Sequence, residues 1–111
     1  VTGTAARVAL VTGGTRGIGR AITDRLTSSG ITVAAAYARD VAAADALRDD
    51  AARCGATVTL HQADVGQPTA CQRLVDEVLE QHGRLDYLVN NAGMVTEQRL
   101  ADISAEDWHR Q

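Results

Sequence analysis

Val11-Thr12-Gly13-Gly14-Thr15-Arg16-Gly17-Ile18-Gly19 sits between two different hydrophobic patterns. Before it, Val8-Ala9-Leu10-Val11 is apolar without alternation, as in a strand covered on both faces. After it, Ile18, Ala21, Ile22 and Leu26 recur at the helical period. The order is therefore strand, glycine-rich turn, helix. Such a turn brings backbone N–H groups and the positive end of a helix dipole to one spot, where a phosphate can sit. Gly13 lets the chain leave the strand sharply. Gly17 removes a Cβ that would hold the backbone off a pyrophosphate, and Gly19 lets the helix pack tightly on the strand.

The spacing is G-x-x-x-G-x-G rather than the commoner G-x-G-x-x-G. Taken alone, it leaves open an ordinary strand-to-helix turn that happens to be rich in glycine. The totals narrow the choice. With 111 residues the chain is one domain, and 45% apolar content suits a soluble globular protein. Three aromatics and no Phe make the core aliphatic. A net charge of −3 without a basic stripe argues against nucleic acid and anionic membrane as partners. No apolar run approaches the roughly 18 residues of a membrane span, and no secretion signal is expected, since no basic region leads a long apolar stretch ahead of the first strand. Cys54 and Cys71 lack paired spacing and read as small buried hydrophobes in a reducing cytoplasm. All 11 basic residues are Arg.

Outward from the turn, strands and helices alternate. Strands are expected at Arg7–Thr12, Ile31–Tyr37, Ala56–Gln62 and Leu85–Val89. The first helix runs from Gly17 to about Ser29, with Gly30 as its stop. The second starts at Asp40, a good N-cap, buries Ala44, Leu47, Ala51 and Cys54, and ends at Gly55. The third has Pro68 in its first turn and a stripe of Cys71, Leu74, Val75, Val78 and Leu79, closed by His82-Gly83. Ser104 with Asp107 opens a last helix that carries Trp108. This alternation gives a parallel sheet with right-handed crossovers. His61, His82 and His109 stand apart without ligand spacing, so no metal site is expected.

In an open parallel sheet, ligands bind outside the carboxyl ends of the strands. Three patches fall there: the glycine turn, Asp64-Val65 and Asn90-Asn91-Ala92-Gly93. Each alone has a plain reading as a loop carboxylate or a run of turn formers. Together, in this order and at these separations, they resemble the cofactor motifs of the short-chain dehydrogenase/reductase family. The resemblance covers essentially the whole chain and is nearest to the 3-oxoacyl thioester (acyl-carrier-protein or CoA) reductases.

The resemblance implies an α/β, Rossmann-like, doubly wound parallel sheet of strand order 3-2-1-4, with helices on both faces. It implies that Gly13, Thr15, Arg16, Gly17, Ile18 and Gly19 wrap the pyrophosphate and the adenosine ribose. Asp64 would accept from the adenine amino group, and the Val65 backbone would bond the ring. Asn91, Ala92 and Gly93 would line the middle of the cofactor, while Asn90 and Thr12 would brace the strand ends. It further implies a small carbonyl or acyl-thioester substrate, a homo-oligomer, and a Tyr-x-x-x-Lys pair that protonates the carbonyl as a nicotinamide delivers hydride. The residues depart from that pattern. The tyrosines are Tyr37 and Tyr87, and there is no lysine, so the pair is absent and no catalytic residue is assigned. Residues 1–111 are expected to be the cofactor-binding half, truncated before the catalytic half and inactive alone.

The residues at the end of the second strand, Tyr37, Ala38 and Arg39, address the choice between NAD and NADP. They lie about 20 residues past the turn, where an acidic side chain would take the ribose hydroxyls of NAD. None is there. Arg39, with Arg16 opposite, suits a 2′-phosphate instead, so NADP is expected and NAD is the alternative, through Asp40. Two other readings stand beside this one: a dinucleotide-binding module without chemistry, and an NAD-dependent alcohol dehydrogenase of the same family. A methyltransferase using S-adenosylmethionine would want an acidic residue at the end of the second strand, where Tyr37-Ala38-Arg39 offers none, and would leave Asn90-Asn91-Ala92-Gly93 unexplained.

Overall fold

The computed structural model describes residues 6–91. Seven elements follow one another: β1 (Val8–Thr12), α1 (Gly17–Ser28), β2 (Thr32–Tyr37), α2 (Val41–Cys54), β3 (Val58–Gln62), α3 (Pro68–His82) and β4 (Tyr87–Val89). The strands form one parallel sheet in the order β3-β2-β1-β4. The expected fold class and strand order are those observed. Ala92, Gly93 and the expected helix at Ser104 lie outside the described residues.

Sheet and helices bury two layers of aliphatic side chains. On one face Val8, Leu10, Ala34 and Ala36 pack under Leu74 and Val78 of α3. On the other, Val11, Val33 and Ala35 pack under Leu47 of α2, with Ile22 and Leu26 of α1 against them. Both faces of β1 and β2 are therefore covered, which is why their sequences do not alternate. Burying a residue such as Leu47 or Leu74 contributes about 1.5–3 kcal/mol. The helix ends follow local chemistry. The Asp40 carboxylate accepts from the Ala43 N–H at 3.0 Å and caps α2. Pro68 begins α3 at a position where its missing N–H costs nothing.

The strands start one to two residues later than the apolar runs suggest. At the foot of β4 the cause is a side chain: Asp86 accepts the Val8 N–H at 2.8 Å, and Arg84 grips the same carboxylate with two nitrogens, each at 2.8 Å. The Arg84 fork, with the Val8 N–H, holds the Asp86 carboxyl down to about 2. Its contribution to stability is complete above the ordinary carboxylate value, near pH 4, and is lost as the pH falls toward the folded value.

Three expectations need correction. Cys54, the last residue of α2, is exposed. Cys71 is half-buried, with its thiol 3.0 Å from the Val65 carbonyl. Leu79 is exposed: it stands about 100° round the helix from the fully buried Val78, at the edge of the face that meets the sheet. On β4, Leu88 is 63% exposed, so that edge has no cover among the described residues.

The histidines also differ from the sequence reading. Thr59 Oγ1 lies 2.8 Å from His61 Nε2 and 2.9 Å from His82 Nε2, which joins β3 to the end of α3. One hydroxyl proton can serve at most one of the two imidazoles. His61 Nδ1 faces Glu77 at 3.9 Å. Burial pushes both histidines below their ordinary value; for His61, Glu77 opposes that shift and His82 adds to it. A histidine pKa lowered by folding lends stability that is present above the unfolded value, near pH 6.5, and is lost as pH falls through the folded one. The thermal midpoint is therefore expected to drop between about pH 7.5 and 5.5, a range where ordinary carboxylates barely titrate. The His61→Gln/His82→Gln variant should flatten that drop; an equal drop in both proteins would contradict the assignment.

Candidate functional site

The turn after β1 is built on close approaches. Gly13 and Gly17 have positive φ, 65° and 59°, which side-chain-bearing residues rarely adopt. A Cβ at Gly17 would meet nothing within 4 Å, so the positive φ is what demands glycine there, and the space beside it is open. Gly19 is the opposite case. A Cβ there would stand 1.9 Å from the Gly13 carbonyl oxygen, so α1 begins in direct contact with the turn.

Two residues hold this arrangement that the sequence reading left without a role. Gly14 is buried, and a Cβ on it would crowd Thr23 Oγ1 and the Val11 carbonyl, both at 3.0 Å. Thr23, fully buried on α1, donates its hydroxyl to the Gly14 carbonyl at 3.0 Å. The available signal was a hydroxyl residue four positions after Gly19, beside the apolar stripe.

From the other side β4 closes in. Thr12 Oγ1 donates to the Val89 carbonyl and accepts the Asn91 N–H at 2.9 Å. Asn91 Nδ2 donates to the Gly13 carbonyl at 3.3 Å. Thr12 thus braces the strand ends as expected. Asn91 shares that work, and Asn90 is exposed.

These contacts shape a groove of about 860 Å³ along the carboxyl ends of the strands. Gly13, Thr15, Arg16, Gly17, Tyr37, Ala38, Arg39, Asp64, Val65 and Asn91 all line it. Ile18 and Gly19 do not: Ile18 points outward, 75% exposed, and Gly19 is buried beneath the turn. Ala92 and Gly93 fall outside the described residues. Asp40, the residue of the NAD alternative, lines it too, and Ala36, Ala63, Gly66 and Gln67 join the lining without having been expected there.

The groove favours an anion at one end. Arg16 occupies the N-cap of α1 with no side-chain cap, and no acidic residue stands in the first turn. The first N–H groups of that helix are left for a ligand or water. Arg39 is exposed at the end of β2 and makes no ion pair among the described residues. Asp64 is exposed, and its carboxylate accepts the Gly66 N–H at 3.0 Å. An uncapped helix start, an open space beside Gly17 and a groove within the usual size range for small-molecule sites together fit a phosphorylated ligand.

A second cavity, about 620 Å³, lies at the amino ends of the strands between α1 and α2. Its arginines are already matched: Arg20 with Asp24 and Asp50, and Arg53 with Asp50. Among the described residues no group of three or more His, Cys, Asp or Glu side chains is disposed to hold a metal ion.

A family model described as short chain dehydrogenase matches residues 7–111. The chain belongs to the short-chain dehydrogenase/reductase family. It is 37% identical over 108 residues to a 3-oxoacyl-[acyl-carrier-protein] reductase of Synechocystis, covering 97% of this chain and 44% of the relative. It is 38% identical over 104 residues to a versicolorin reductase of Emericella nidulans, covering 94% of this chain and 39% of the relative. These near-equal identities do not single out one branch of the short-chain dehydrogenases. Among solved structures, a Burkholderia cenocepacia short-chain dehydrogenase in complex with NADP has 40% identity and a TM-score of 0.84, over 96% of this chain and 43% of that one. A blue fluorescent protein from a metagenomic library, in complex with NADPH, has 35% identity and a TM-score of 0.84, over 96% and 44%. The chain thus spans roughly two-fifths of the length of the relatives it matches. No helix among the described residues is long and apolar enough to cross a membrane.

Gly19→Ala is expected to destabilise the protein by at least about 1–3 kcal/mol, because backbone must move to admit the new Cβ. Thr23→Val should cost about 1–3 kcal/mol through the carbonyl left without its donor. Denaturant unfolding measures both, and a Gly19→Ala variant as stable as the parent would contradict the contact described.

Proposed function

We propose that the protein is an NADPH-dependent carbonyl reductase, with 3-oxoacyl thioesters as its substrate class, and that residues 1–111 form its dinucleotide-binding domain. The observation that carries the cofactor choice is the end of β2: Arg39 stands exposed beside the groove, while Asp40, the nearest carboxylate, is engaged as the cap of α2. Homologues that bind NADP and NADPH support the same choice. The match to a 3-oxoacyl reductase supports the substrate class.

In this reading Gly13, Thr15 and Gly17 border the pyrophosphate at the start of α1, the first-turn N–H of Ile18 donates to it, and Gly19 acts from beneath the turn by letting α1 come that close. Arg16 and Arg39 face the 2′-phosphate from opposite sides, with Tyr37 and Ala38 forming the wall between them. Asp64 accepts from the adenine amino group, and the Val65 backbone bonds the ring. Asn91, Ala92 and Gly93 border the middle of the cofactor, and Asn91 also keeps the Gly13 carbonyl occupied. When bound, the nicotinamide supplies the hydride. The proton donor is not among these residues: with no lysine in the 111 given, the Tyr-x-x-x-Lys pair lies elsewhere in the enzyme, and this stretch binds cofactor without turning it over. The enzyme is proposed to be cytoplasmic, in keeping with its free cysteines, and homo-oligomeric, as its family resemblance implies.

Calorimetric titration with both cofactors tests the proposal. Arg39→Ala is expected to weaken NADPH binding about ten- to a hundred-fold, the effect of losing one charged contact worth about 1.5–3 kcal/mol, and to leave NADH nearly unchanged. A parent protein that binds NADH more tightly than NADPH would overturn the cofactor choice. A second measurement concerns catalysis: the 111-residue chain, given NADPH and an acetoacetyl thioester, should show no more oxidation than a heat-inactivated sample, and turnover would refute the assignment of the chemistry to other residues.

A further inference from the structure

Asp40 does two things at once. One carboxylate oxygen, Oδ1, accepts the Ala43 N–H at 3.0 Å and caps α2. The other, Oδ2, meets Arg16 Nη1 at 3.3 Å across 24 residues of sequence. Arg16 is the N-cap residue of α1 and Asp40 that of α2. The ion pair therefore joins the starts of two helices at the groove, and both its members line that groove. The only other charged side chains lining the groove among the described residues are Arg39 and Asp64.

We propose that Asp40 is a specificity-determining residue that acts through Arg16. The pair is a clasp beside the groove that a 2′-phosphate must open, and it holds down the preference for NADPH over NADH. The inference rests on the NADPH reading above. A dianion arriving between Arg16 and Arg39 offers Arg16 a stronger partner than one carboxylate, so the guanidinium turns from Asp40 to the phosphate. Asp40 cannot follow, because its other oxygen is tied to the cap of α2. Binding NADPH therefore loses the Arg16–Asp40 attraction. NADH lacks the 2′-phosphate, leaves the clasp closed and meets no such loss. The clasp is weak by design of its surroundings: the Arg16 side chain is 75% exposed and that of Asp40 38%, and exposed pairs contribute little. It tunes the preference rather than reversing it.

Asn caps a helix about as well as Asp, so Asp40→Asn removes the charge and keeps the cap. In the full protein, Asp40→Asn is expected to tighten NADPH binding about three- to fivefold, as suits an exposed pair, and to change NADH binding less than about twofold. The decisive arm is a double-mutant cycle with Arg16→Ala. If Asp40 acts through Arg16, the gain from Asp40→Asn falls below about twofold once Arg16 is absent. A gain that persists in full in the Arg16→Ala background would mean that Asp40 acts on the phosphate directly, and would overturn the clasp. An unchanged NADPH affinity in Asp40→Asn would overturn it as well. Failure of the parent to bind NADPH would instead overturn the cofactor reading, and the clasp with it. Thermal melting of each variant checks that the cap survives, and Asp40→Ser, which also caps, replaces Asp40→Asn if that variant fails to fold.

Discussion

The Gly13 carbonyl is the point on which the site depends. It receives the Asn91 side-chain amide from beyond β4, and the backbone of Gly19 lies so close that no Cβ fits between them. One oxygen thereby fixes the end of β1, the start of α1 and the segment after β4 relative to each other. The Thr23 hydroxyl holds the next carbonyl, that of Gly14, from inside α1. The turn cannot relax toward the sheet or away from it without breaking one of these contacts. Its first-turn N–H groups are consequently held in place before any ligand arrives, which is the condition for a preorganised anion site.

Electrostatics then grade the groove from one end to the other. The end between the starts of α1 and α2 carries two arginines and two helix N-termini, and its carboxylate, Asp40, is engaged twice. Toward β3 the charge changes sign at Asp64, whose carboxylate is exposed and acceptor-only when ionised. A ligand with phosphate at one end and a donor-bearing ring at the other matches that order. The opposite ends of the strands also hold a cavity, but its guanidinium groups are committed to neighbouring aspartates.

Much of this was legible in the sequence because it is local. Uninterrupted apolar runs marked strands covered on both faces, Asp40 and Pro68 marked helix starts, and the glycine spacing marked the turn. Helix amphipathicity was less reliable at the margins. Cys54 and Leu79 continue their stripes by count, but both are exposed, Leu79 standing about 100° round the helix from the buried Val78. What the sequence could not show depends on contacts between distant residues. Thr59 links His61 to His82 across 23 residues, and Arg16 reaches Asp40 across 24. Neither pairing has a spacing signature, because each is made by the crossover geometry of the sheet. Gly14 was hidden for another reason: its role is set by the side chain of Thr23, not by its own conformation.

The groove at the carboxyl ends of the strands, shaped by the Gly13 contact, is proposed to hold a phosphorylated dinucleotide. Amide chemical-shift mapping during an NADPH titration tests it most directly. The account predicts that the shifts concentrate at Gly13 and Thr15–Gly19, at Ala38–Asp40, at Asp64-Val65 and at Asn91. Shifts gathered instead around Ser28, Cys54 and Gly55 at the other end of the sheet, or none at saturating cofactor, would contradict it.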